Sequence, residues 1–191
     1  ALHGGATIDR ILKCVEAIRR RSDVPLLFFS YINPLIAPGF ESVVRASAKA
    51  GLDGFLMLDL PVEESAVHRA ILARNHLNSV CLVTPTSPPD RIREIVKAST
   101  GFVYCVSREG VTGMQKKLST GAAPVVRATR QFTTLPVALG FGISTPGQAR
   151  AAAGAADAII VGSAIVHNLA SRGRKATMTW VRELVRAVKE V

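Results

Sequence analysis

Three glycine-rich turns are the parts of this 191-residue chain best suited to chemistry: Gly110-Val111-Thr112-Gly113, Gly140-Phe141-Gly142-Ile143-Ser144 and Gly162-Ser163-Ala164. Each follows a short apolar run, and the last two lead toward helix starts. Free backbone N–H groups and the helix dipole favour an anion there, and glycine lets the backbone approach it closely. One such turn alone is more often just a tight turn. Two on neighbouring strands, preceded by GVTG, point to a phosphate cradle. Among acids at the same strand ends Asp59 is the plausible participant, although a strand-end cap explains it equally well. His3, His68, His76 and His167 are scattered and expected at the surface, so no metal site is expected.

The elements that must position these turns repeat as strand–helix units. Thr7 is an acceptable N-cap for a first helix with Ile8, Ile11, Leu12, Val15 and Ile18 on one face. The apolar runs 24–31, 54–61, 79–85, 101–107, 135–142 and 156–163 read as buried strands. Helices are expected over 39–50 (closing at Gly51), 63–75, from about 90 onward, and over 123–130. A further helix should start after Thr145-Pro146-Gly147-Gln148. The last, about 177–190, should bury Trp180, Leu184, Val185 and Val188. Alternating units of this kind argue for an α/β fold with a parallel sheet, either doubly wound or part of a (β/α)₈ barrel. Periodicity does not choose between them, but both place their sites just beyond the strands' C-terminal ends.

Composition narrows the class. Nearly half the residues are apolar, and no apolar run reaches the roughly 20 residues that cross a bilayer. The formal charge is +10, from 24 basic and 14 acidic residues. The basic residues are scattered along amphipathic helices without zinc spacing or RNP-like aromatics, so neither nucleic acid nor membrane is expected as a partner. Cys14, Cys81 and Cys105 are odd in number and lack CxxC spacing, which predicts buried free thiols in a reducing compartment.

Taken together, FSYINPL (29–35), LDLPVEES (58–65), PTSPPDRI (85–92), GFVYCVSREGVTG (101–113), LPVALGFGIS (135–144) and IIVGSAIV (159–166) resemble the tryptophan synthase α subunit family. The resemblance implies a TIM-barrel type (β/α) fold with six of its eight strands here, in one domain over 1–191 that lacks the first two strand units. It implies a lyase that cleaves indole-3-glycerol phosphate to indole and glyceraldehyde 3-phosphate, without a cofactor, in the cytoplasm or the plastid stroma of a plant or alga. The implied partner is a tryptophan synthase β subunit in an α2β2 assembly.

Residue by residue, the resemblance assigns Tyr31 and Leu56 to the indole pocket. Tyr104, otherwise a core aromatic on a buried strand, becomes an assistant to the catalytic carboxylate. Gly113, Phe141, Gly142, Gly162 and Ser163 match the phosphate-binding positions, and Asp59 and Thr112 match residues that bring two loops together. The loop around 107–122 resembles a lid, but Met114-Gln115-Lys116-Lys117 stands where many members carry an arginine. The family's acid–base pair, the glutamate of ELG and the aspartate of PFSDP, has no counterpart in these residues. That predicts a longer natural protein. It also leaves open two alternatives: a catalytically incompetent subunit that activates a β partner, and a stand-alone indole-releasing lyase.

Overall fold

The computed structural model describes residues 5–106, 122–140 and 142–191. They contain six strands alternating with helices, and the chain divides into two compact units. One comprises residues 1–81 and 98–101, the other residues 82–97 and 102–191.

In the first unit, α1 (Ile8–Arg19) is capped by the Thr7 hydroxyl, which accepts from the Arg10 N–H, and buries Leu12 and Val15. β1 (Leu27–Ser30), β2 (Gly54–Met57) and β3 (Asn78–Val83) lie in that order as parallel neighbours, with Phe29 opposite Leu56 and Leu56 opposite Val80. A short α2 (Asn33–Ile36) follows β1. Pro34 stands in its first turn, where its fixed φ suits a first helical position. α3 (Phe40–Ala50) turns Phe40, Val43, Val44, Ser47 and Ala50 inward and closes at Gly51. α4 (Ala66–Arg74) then buries Leu72. The core centres on Phe55, whose ring stacks on Phe28 at 5.5 Å and meets Phe40 at 6.4 Å.

The second unit holds α5 (Pro89–Ala98, its last residue aside), β4 (Val103–Val106), α6 (Ala122–Arg130), β5 (Val137–Gly140), α7 (Pro146–Ala153), β6 (Ala158–Ile160) and α8 (Ser163–Lys189). β4, β5 and β6 are parallel neighbours, with Tyr104 opposite Ala138 and Gly140 opposite Ile160. β4 and β5 are buried at every position, as expected of a parallel strand covered on both faces. α8 is interrupted at Gly173 (φ 75°, ψ 173°), which sets off the final helix expected from sequence.

Both units use the same device where chain enters strand. Arg19, the last residue of α1, pairs with Asp53, whose carboxylate also accepts the Leu26 N–H at 2.6 Å. Arg130, the last residue of α6, pairs with Asp157 at 2.8 Å, and Asp157 accepts the Val137 N–H at 2.8 Å. Each aspartate immediately precedes a strand and ties down the start of the strand beside it. Charge-assisted bonds of this kind are the stronger ones.

Two expectations are corrected. Of the cysteines only Cys105 is buried; Cys81 is half-buried and Cys14 exposed, because position 14 lies off the Leu12–Val15 stripe. In the last helix Thr177, Leu184 and Ala187 are buried, Trp180 and Val188 half-buried, and Val185 is 48% exposed.

Candidate functional site

The second unit carries the two turns that leave the adjacent strands β5 and β6, and they differ in a way that matters for an anion. α7 begins with a complete capping box. The Thr145 hydroxyl accepts the Gln148 N–H at 3.2 Å, and the Gln148 side chain accepts the Thr145 N–H at 3.2 Å. The Thr145 and Gln148 amides are thus engaged within the box. α8 begins at Gly162, which has no side chain to cap it, and a β-carbon there would meet nothing within 4 Å. The first amides of an α-helix have no intrahelical partners, and at the start of α8 no side-chain cap takes them up among the described residues. Ser163, the first residue of α8, is exposed and adds a hydroxyl.

Upstream of α7, Gly142 has φ 83°, a conformation L side chains rarely adopt, and is half-buried. Only glycine turns the chain there without strain.

Tyr104 lies on β4, buried, and desolvation raises its pKa above the ordinary phenol value. It is therefore a neutral phenol at physiological pH, able to donate a hydrogen bond. Gly140 makes room for it: a β-carbon at position 140 would stand 2.5 Å from Tyr104 Oη and 2.7 Å from Cε2.

In the first unit, Tyr31 follows β1 directly and is 58% exposed, whereas Leu56 is buried on β2. Asp59, two residues beyond β2, accepts the Ile32 N–H at 2.7 Å. Its described contact thus ties together the chain ends beyond β1 and β2. Thr112, Gly113 and Phe141 lie outside the described residues. Among the described residues, no group of three or more His, Cys, Asp or Glu could hold a metal ion. No described helix is long and apolar enough to cross a membrane.

The model of one protein family, described as "Tryptophan synthase alpha chain", matches residues 1–191. The chain belongs to that family. The tryptophan synthase alpha chain of Opitutus terrae is 46% identical over 167 residues, covering 87% of this chain and 63% of its own length. The chain therefore spans somewhat under two thirds of that relative. A structure of Mycobacterium tuberculosis tryptophan synthase superposes with a TM-score of 0.91 at 34% identity, covering 98% of this chain and 71% of that one. The tryptophan synthase a2b2 complex of Pyrococcus furiosus gives 0.86 at 27% identity, covering all of this chain and 76% of the other. The fold is accordingly of the TIM-barrel type, with six parallel strands among the described residues.

Two participants escaped sequence reasoning. The Ile32 amide carries no signal in a sequence, since every residue but proline has one. Gln148 did carry a signal, in Thr145-Pro146-Gly147-Gln148, but it announced only a helix cap; its bonds to Ser144 outside the helix did not follow from it.

Proposed function

We propose that the protein is a lyase of tryptophan biosynthesis that cleaves indole-3-glycerol phosphate to indole and glyceraldehyde 3-phosphate. The observation that carries this reading is the contrast between the two helix starts in a chain of this family. The start of α8 at Gly162 and Ser163 has no side-chain cap, while that of α7 carries a capping box. A helix start without a side-chain cap and a left-handed glycine turn suit a phosphate dianion, held by Gly142, Gly162 and Ser163. Thr112, Gly113 and Phe141 complete the proposed set.

The reaction is a retro-aldol cleavage. Protonation of indole C3 makes indole a competent leaving group, and loss of the proton from the adjacent glycerol hydroxyl turns that carbon into an aldehyde as the carbon–carbon bond breaks. No atoms are gained or lost, and no metal or organic cofactor enters. Tyr104, as a neutral phenol, would orient the group that moves these protons; Tyr31 and Leu56 would contact the indole ring. Asp59 holds the chain after β1 through Ile32. The compartment this implies is the cytoplasm. The partner it implies is a tryptophan synthase β subunit, as in the a2b2 complex named for the Pyrococcus furiosus structure.

One observation favours a second reading, a subunit that binds substrate and activates a β partner without turnover: Asp59, the acid singled out at the strand ends, is occupied by the Ile32 N–H. Incubation with indole-3-glycerol phosphate, with and without a β subunit, separates the two. Release of indole supports the lyase. Enhanced β activity with no indole release supports the second reading, and neither effect contradicts both.

A further inference from the structure

Gln148 is buried, and its side-chain oxygen accepts from three donors: the Ser144 N–H at 2.8 Å, the Ser144 hydroxyl at 3.1 Å and the Thr145 N–H at 3.2 Å. Backbone N–H groups can only donate, so this atom is the amide oxygen. A capping box needs the bond to Thr145 alone. The shortest of the three goes one residue further out, to Ser144, and so clamps the segment between Gly142 and α7. Ile143, between Gly142 and Ser144, is itself buried, which leaves that segment little freedom.

We propose that Gln148 is a positioning residue of the phosphate-ester site, an inference that rests on the reading given under Proposed function. It acts in two ways through one atom. By holding Ser144 it fixes the direction of the Gly142 amide two residues upstream. By occupying the Ser144 and Thr145 amides it withdraws the start of α7 as a competing anion site and leaves the start of α8 as the open one. Binding groups keep their geometry when neighbours lock them in place, and one misdirected amide is enough to weaken anion binding.

The test is calorimetric titration of glycerol 3-phosphate into the whole chain and into four variants. Gln148→Met keeps the volume but loses the acceptor, and Gln148→Asn stays polar but is one methylene too short to reach Ser144. Both should bind about tenfold more weakly, a change of about 1.4 kcal/mol. Should the methionine variant fail to fold, the asparagine variant decides. Thr145→Ala removes the cap but not the Ser144 clamp, so it should lower the thermal midpoint and hold affinity within about twofold. Gln148 variants that bind as tightly as the parent overturn the inference, as does a Thr145→Ala loss equal to theirs, which would mark general loosening. Ser163→Asp places a negative charge in the site and should abolish binding. A parent that does not bind, or a Ser163→Asp variant that binds normally, defeats the site itself and the inference with it; the Gln148 outcomes above leave the site standing.

Discussion

The ring of Tyr104 lies against the bare α-carbon of Gly140, so close that a single added methyl would stand 2.5 Å from the phenolic oxygen and 2.9 Å from Ile160 Cβ. β4 and β5 are paired so that Val106, not Tyr104, is opposite Gly140; the tyrosine reaches along the neighbouring strand to fill the space that glycine leaves.

Gly140→Ala should therefore cost stability and displace the tyrosine. Overfilling a packed core costs about 1–3 kcal/mol. A urea denaturation midpoint lowered accordingly, with a changed near-ultraviolet tyrosine signal, is the expected result. An unchanged midpoint would mean the ring has room to spare.

The Asp157 carboxyl is held below its ordinary value, first by the Val137 N–H and then by the Arg130 guanidinium. A carboxyl whose folded pKa is depressed adds stability above its unfolded value, near 3.8, and loses it as the pH falls through the folded value. Asp157→Asn should be less stable than the parent at neutral pH, by about 1 kcal/mol for a half-exposed group. The difference should shrink below about pH 4. Urea midpoints across that range check it; a difference that grows in acid contradicts it.

Asp59→Ala should release the Ile32 amide. Hydrogen exchange at Ile32 should accelerate at least tenfold, while global stability changes by no more than about 1 kcal/mol. Unaltered Ile32 exchange would show that another acceptor takes over.

The thiols should react in order of exposure. Cys14 is exposed, Cys81 half-buried, and Cys105 buried against the Thr129 hydroxyl at 3.2 Å with its thiol pushed up to about 11, chiefly by desolvation. Because the thiolate is the reactive form, native protein should be alkylated first at Cys14 and at Cys105 only on unfolding. Peptide mass mapping after brief alkylation reads this directly; early modification of Cys105 would contradict it.

The order of elements was legible because apolar runs and capping residues report burial and helix starts. Thr7 and Thr145 both cap as expected. The runs overstated the strands: residues 54–61 gave a ladder only from Gly54 to Met57, and 156–163 only from Ala158 to Ile160. Hydropathy measures what is shielded from water, whereas a ladder ends where the neighbouring backbone diverges. The left-handed turn at Gly142 was legible because glycine is the one residue whose type announces a backbone role. The dependence of Tyr104 on the smallness of Gly140, and the grip of Gln148 on Ser144, were not. They are distances, set by how β5 and α7 leave the sheet, and no residue type encodes them alone.

The central claim is that the open start of α8 receives a phosphate ester. It is tested most directly by titrating isotopically labelled protein with indolepropanol phosphate and following backbone amide resonances. The largest shifts should fall at Gly142, Ser163 and Ala164, with the capped amide of Gln148 little moved. Shifts centred on α7, or none at Ser163 under saturating ligand, would contradict it.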